Sequence, residues 1–524
     1  MYLPKTSQNI LKSSFIRHPF SIFGPMKIFV VKATILSVLL LTGIHGFGQK
    51  VFDFNATCQQ AYNEITKLKL NSGQKLIDKA RLENPNNLIP DLLSSYIDFF
   101  ILFFNEDPAQ LKVRQPHFSA YLEKMEDGPK TSPFYNYCRS AVYIQKACVE
   151  IKFGQRWSSG WDFRRAFSLI KENRKSFPQF VPNDMIYGPM QVVAGTIPDG
   201  YKWLAGLFGI KGSIKNGLAL MQSVLSSNDA YAKLFYNEAV FYYCYVEFYI
   251  QNQPGIVFDF IKNKKLDVVN NHLLAYMATN LALNDKRNDY ALSIITGRNP
   301  STEYMQTPVW DFELGYVKMR HLELDAATKA FENFTKTFKG KFYLKDAYEK
   351  LSWCCYLSGK QDAANNARKA IISKGSAETD ADKQALKDAK TNKWPVPVLL
   401  KARLLNDGGY NNEALAQLSG KSSKDFAQPE DQLEFTYRLA RIYDDLGKDD
   451  LAIKNYTAAI LLGETRTEYF AARAALQTGM IYEKQGKKND AVTWYQKCIS
   501  MQNHDYKDSI DQKAKAGIAR CKGQ

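Results

Sequence analysis

Along the second half of the chain, apolar residues recur at helical spacing, and small residues recur with them at fixed offsets. Gly315, Ser352, Ala402, Ala440, Gly479 and Gly517 serve as register marks. Twelve residues after each of the first five stands an alanine: Ala327, Ala364, Ala414, Ala452 and Ala491. Seven residues after the mark, four of those five stretches have glycine, at Gly359, Gly409, Gly447 and Gly486. Sixteen after it come Phe331, Tyr456 and Tyr495, with Leu418 in one stretch. Each stretch therefore predicts two antiparallel helices joined by a tight turn. Two helices approach closely where small residues meet at the crossing, and the mark and the alanine supply that pair. Glycine takes a left-handed turn conformation at least cost. The large side chain then fills the gap between neighbouring pairs.

This pattern resembles the tetratricopeptide (TPR) repeat, most closely from Tyr437 through Ala440, Tyr443, Gly447 and Ala452 to Tyr456, and again from Gly479 through Tyr482, Gly486 and Ala491 to Tyr495. Successive marks are 37, 50, 38, 39 and 38 residues apart, longer than the usual period of about 34. The longest step holds a charged insert over residues 375–387, itself a candidate short helix. Gly517 has too little chain behind it for a second helix, so it belongs to a C-terminal capping helix.

The first half reads as helical but less regular. Residues 58–69 and 74–81 make one expected pair, and residues 135–153 and 161–174 another, stopped by Phe177 and Pro178. Residues 88–104 are strongly apolar but carry Pro90, Asp91 and Asp98, which favours a buried helix over a membrane span. Residues 236–251 are aromatic on nearly every side, so that helix is expected to be packed from several directions. No run of alternating strands stands out.

Between the halves lies a segment with Pro198, Gly209, Gly212, Gly217 and Leu218. It resembles the linker of the tetratricopeptide repeat protein 39 and inclusion-body-clearance family, where a proline precedes a short apolar helix, a Gly-x-x-Gly turn and a Gly-Leu pair. The order of elements is similar too; that family is eukaryotic, similar domains occur in bacterial envelope proteins, and the resemblance is to a bacterial exported form of that architecture. The fold expected is all-α: a helix-turn-helix repeat solenoid with an irregular helical N-terminal half. Its domains are an upstream extension or mis-set start over 1–25, a signal peptide over 26–48, a helical domain with degenerate repeats over 49–299, and a TPR-like array with its cap over 300–524.

The leader rests on charge and length. Met26, Lys27 and Lys32 open a positive region, residues 33–44 are apolar, and Gly46 and Gly48 give small residues before a cut after Gly48. The apolar run is too short for a spanning helix, so export to the periplasm or cell envelope is expected; an uncleaved anchor is the alternative. The formal charge is +16, of which residues 1–48 carry five positive groups and no acid, leaving +11. These charges interleave with acids, as at Lys448, Asp449 and Asp450, which argues against a nucleic-acid partner. The eight cysteines show no CxxC or zinc spacing and read as small core residues, with one disulfide possible.

No catalytic signature emerges. His117, His272, His321 and His504 lie far apart, there is no GxSxG elbow, and Gly212 is followed by Ser213 where a phosphate loop needs lysine. Neither cofactor nor metal is expected, and the reading is a non-catalytic scaffold or adaptor. In TPR arrays the first helix of each pair lines a concave groove. By that resemblance, the positions one and four after the mark contact a protein or peptide partner: Tyr316 and Met319, Trp353 and Tyr356, Arg403 and Asn406, Arg441 and Asp444. The aromatics suit an apolar stretch of peptide, and the arginines suit a carboxylate. A second reading is a lipid- or membrane-surface protein using residues 201–210, with Trp203 and Phe208 as contacts. An enzyme with an unrecognised site is the third.

Overall fold

The computed structural model describes residues 49–196, 211–391 and 393–523. The expected signal peptide, and residues 201–210 with Trp203 and Phe208, lie outside the described residues. Lys50–Gln524 forms one compact unit. The protein is all-helical, with no strand among the described residues. None of the described helices is long and apolar enough to cross a membrane.

The repeat register holds through the second half. Val309–Arg320 pairs with Leu324–Thr337, Leu344–Leu357 with Gln361–Ser373, and Pro397–Gly408 with Asn411–Leu418. Pro429–Asp445 pairs with Asp449–Gly463, and Phe470–Lys484 with Lys488–Ser500. The insert forms a helix of its own, Asp380–Thr391, and Lys507–Lys522 closes the array. Every mark sits inside a first helix, and every alanine twelve residues on is fully buried. Gly359, Gly409, Gly447 and Gly486 all have φ between +69° and +89°. In the first pair the equivalent residue is Leu322, which adopts φ 59° without being glycine.

The large residue at the sixteenth position packs more tightly than expected. A Cβ on Gly315 would stand 2.7 Å from the Phe331 ring. The Tyr495 ring lies between two marks: a Cβ on Gly479 would stand 2.6 Å from it, and one on Gly517 2.4 Å. One ring thus bolts its own pair to the next first helix, and its area buried in both directions is the glue between repeats.

The same register runs into the front half, where sequence alone showed only irregular pairs. In Ala56–Thr66 and Leu70–Glu83, Ala61 is the mark, Leu68 takes the turn at φ 67°, Gly73 replaces the alanine and Ile77 the large residue. In Phe134–Lys152 and Arg156–Ser176, Ala147 and Ser159 meet directly, the Ser159 hydroxyl donating to the Ala147 carbonyl at 2.9 Å, with Gly154 at the turn. In His272–Asn284 and Asn288–Gly297, Thr279, Lys286 and Ala291 fill the three places. Leucine or lysine at a positive φ hides the glycine signal that marks the later turns.

Ile89–Asn105 is buried along most of its length, as its apolar sequence requires. The aromatic helix Tyr236–Tyr249 touches two core clusters, and at its start Glu238 accepts hydrogen bonds from Tyr62, Tyr96 and Tyr242 at 2.5, 2.9 and 2.8 Å. Gly212 and Gly217 of the linker serve close packing of Pro182–Gly195 on Ile214–Ser226: a Cβ on Gly217 would stand 2.5 Å from the Gly188 carbonyl oxygen.

Overpacking these crossings should cost stability. Gly479→Ala and Ala452→Leu are each expected to lower unfolding free energy by ~1–3 kcal/mol. Gly447→Ala, with open space around its Cβ but φ 69°, should lose about 1 kcal/mol through the backbone alone. Denaturant unfolding of the three variants checks both magnitudes, and an Ala452→Leu protein as stable as the parent would refute the register.

Candidate functional site

The first helices of the repeats turn one face toward a shared interior. Tyr506, just before the closing helix, is close enough to Tyr469, Arg403, Asp388 and Glu349 for their charges to act on it. Lys387 of the insert helix pairs with Asp505 at 2.6 Å. The insert helix and the segment before the closing helix therefore meet, and the residues around their contact are charged and aromatic.

The expected contact residues divide into groups. The Trp353 ring has Lys350 on it at 4.0 Å and Arg403 at 5.0 Å. Arg403 also reaches Asp407 at 3.7 Å, and its side chain remains 33% exposed. Asn406, Arg441 and Asp444 come together around Asp445: Asn406 donates to Asp445 at 2.7 Å, and Arg441 lies 3.8 Å from both Asp444 and Asp445. Lys286, from the front half, also binds Asp445. Tyr316 donates to Asp346, and Tyr356 stacks on Trp394 with centroids 4.6 Å apart. Met319 is 1% exposed and belongs to the hydrophobic core, while Asn406 is buried at 2% and spent on Asn411 and Asp445. Met319 and Asn406 thus shape the face from beneath.

Asp444 illustrates a device that the sequence carried unnoticed. Tyr456 donates to it at 2.8 Å, and Tyr495 donates to Glu483 at 2.5 Å. In both repeats, the acid four residues after the mark accepts the hydroxyl of the aromatic sixteen after it. Glu483 also takes a two-pronged contact from Arg520 of the closing helix, at 2.8 and 2.9 Å.

Two residues outside the expected set complete the face. Arg473 and Lys513 make no ion pair among the described residues, and Arg473 and Arg441 lie close enough for their charges to act on Lys513. Burial, then Arg473 and Arg441, push the Lys513 ammonium down to about 8. Arg473 stands seven residues before Met480, the groove position of its repeat, so a heptad step back along the helix identifies it. Lys513 shows no such spacing. Its place follows from how the closing helix packs.

The histidines and cysteines are absorbed elsewhere. His117 contacts Asp98 at 2.9 Å, and His272 stacks on Tyr304, where burial lowers it to about 4. Burial lifts the Cys58, Cys244 and Cys498 thiols to about 12. The eight cysteines are free, and no group of metal-ligating side chains occurs among the described residues.

Residues 433–462 and 472–505 match the family model of the tetratricopeptide repeat, so the chain carries TPR repeats at two of its helix pairs. No curated protein matches the sequence. Among solved structures, the TPR domain of P58(IPK) is similar at 13% identity over 83% of this chain and 98% of that one, with a TM-score of 0.22. The Cut9–Hcn1 hetero-tetramer of APC/C is similar at 11% identity over 88% and 95%, with a TM-score of 0.26.

The buried acids of the inner face set a pH dependence. Burial pushes Glu349, 4% exposed, from 4.5 up to about 7, against the pull of Lys350. The native state therefore keeps a proton that the unfolded chain has released above pH 4.5, and stability falls as pH rises through that interval. Glu349→Gln should flatten the decline in melting temperature between about pH 5 and 8, a result read by calorimetry across buffers. An unchanged slope would remove Glu349 as its source.

Proposed function

We propose that this protein is an exported TPR scaffold that holds an acidic segment of a partner protein against the inner face of its C-terminal repeats. TPR repeats imply a protein-interaction scaffold, and the leader-like pattern over residues 26–48 supports export. The observation that carries the choice of partner is the meeting of Arg441, Arg473 and Lys513. Two of these cations pair with no carboxylate among the described residues, and the third has only loose contacts at 3.8 Å. Crowded cations on a walled inner face attract an anion more strongly than the same charges spread over an open surface. A carboxylate from a partner would relieve the repulsion among them, with Arg473 free to grip it in two-pronged geometry. Arg403, which sequence made a leading candidate, is in part occupied by Asp407 and Trp353. It serves this reading as a flank of the site.

The test is affinity capture from the cell-envelope fraction with the purified protein, beside a Lys513→Glu, Arg473→Gln variant. Neither substitution breaks an ion pair, so the variant should melt with the parent. A protein captured by the parent in low salt, released by high salt and absent with the variant is the expected result. Capture that the variant retains in full would overturn the acidic-segment reading.

A further inference from the structure

A second concave site lies away from these cations. A cavity of about 670 Å³ opens between Ile89–Asn105, Tyr236–Tyr249 and His272–Asn284 of the front half and the first regular repeats. That volume is in the range of small-molecule sites. Its walls are mainly aromatic, with Phe104, Tyr245, Tyr249, Tyr276, Phe312 and Tyr343 among the lining residues.

Glu313 lines this cavity at 3% exposure. Its one hydrogen bond comes from the Asn280 amide at 3.2 Å, and it forms no ion pair among the described residues. Tyr245, Tyr249, Tyr276 and Tyr343 lie close enough to feel its charge, yet none donates a hydroxyl to it. Arg320 is the nearest cation on its own helix, but its guanidinium donates to the Leu283 carbonyl and lies over the Tyr316 ring. The other two acids of the wall are satisfied. Glu106 holds Lys152 at 2.7 Å, and Asp346 holds Lys350 at 3.0 Å and the Tyr316 hydroxyl.

The wall also contains an example of the chemistry that Glu313 lacks. The Lys152 ammonium sits over Phe103 at 4.8 Å and Phe342 at 5.3 Å while paired with Glu106. A cation between aromatic faces and a buried carboxylate is doubly stabilised there. Around Glu313 the rings and the carboxylate are in place, and no cationic side chain pairs with the carboxylate among the described residues.

We propose that this cavity binds a small organic cation, an ammonium-bearing molecule whose charge sits against the Glu313 carboxylate and the tyrosine rings around it. The rings supply the apolar and quadrupolar contact for the carbon atoms next to nitrogen. Tyr249 and Tyr343, both exposed toward solvent, stand at the mouth. A neutral molecule of the same shape would fill the same space and leave Glu313 buried without a counter-charge, so the site discriminates by charge. A bound cation would also favour the ionised form of Glu313, which burial holds up to about 7. Binding should therefore strengthen as pH rises through that value. Arg320 on its own helix, Tyr276 on His272–Asn284, Tyr245 and Tyr249 on Tyr236–Tyr249 and Tyr343 before Leu344–Leu357 act on it, and Glu106, Lys152, Tyr316 and Asp346 are the other charged or titratable groups of the wall.

Calorimetric titration of the purified protein with choline and with propylamine, each beside its uncharged isostere (dimethylbutanol and butane), tests the proposal. At least one cation should bind about tenfold or more tightly than its isostere. Glu313→Gln, a near-isosteric change, should remove that preference and the pH dependence, and Tyr249→Ala should weaken binding where Tyr249→Phe does not. Far-UV circular dichroism confirms that each variant is folded. No binding of either cation, equal binding of cation and isostere, or an unaltered Glu313→Gln titration would each overturn it.

Discussion

The fold depends on one steric constraint: first helices carry a small residue at the point where a large one from the second helix must enter. Tyr495 shows the consequence most fully, its ring lying where a Cβ on either Gly479 or Gly517 would collide with it. Phe331 on Gly315 repeats the arrangement. Because the ring belongs to one pair and the second glycine to the next, the contact within a repeat and the contact between repeats are the same contact. An array built this way gains its stability from neighbours, and each unit is incomplete alone.

That constraint reaches the inner face through the tyrosine hydroxyl. A buried ring with a polar tip needs an acceptor, and Asp444 and Glu483 provide it for Tyr456 and Tyr495. Acids at these positions are thus partly consumed in holding the array together. Arg520 then finds its partner in Glu483, and Arg438 in Glu434. Much of the inner lining is self-neutralised, so the number of charged residues there overstates what is open to a partner. What distinguishes the C-terminal end is the surplus left after the pairing, at Arg473 and Lys513.

The second-half repeats were legible in sequence because glycine, alanine and tyrosine keep fixed offsets, and those offsets carry both the turn and the crossing. The front half hid the same register for a physical reason. Leu68 and Lys286 occupy left-handed turns where later repeats have glycine, and Gly73 and Ser159 stand where later repeats have alanine. Tertiary packing tolerates these substitutions, so the steric rule survives while its usual letters vanish. The candidate site was only partly legible. Helical spacing picks out the face that carries Arg403 and Arg441. Spacing along one helix does not tell which charges a neighbour has already met, and Met319, exposed on a helical wheel drawn for one repeat, is buried by the next. Glu313 escaped notice for a similar reason, since a lone glutamate among aromatic residues acquires meaning only when helices distant in sequence close around it.

The one unmet acid and the two unmet cations are of opposite sign and cannot relieve each other. Glu313 is fixed on the first regular repeat, whereas Arg473 and Lys513 belong to the last pair and the cap. The interlocking rings that join the repeats also keep these helices from sliding to bring the charges together. In a softer core, buried acids and bases would rearrange into pairs, as Asp346, Glu349 and Lys350 do within one turn of helix. Burying an uncompensated charge destabilises a fold. A rigid repeat array sustains that cost because stability spread over many crossings offsets a local deficit. The packing that makes the solenoid stiff therefore also keeps Glu313 of the front cavity apart from Arg473 and Lys513 at the C-terminal end.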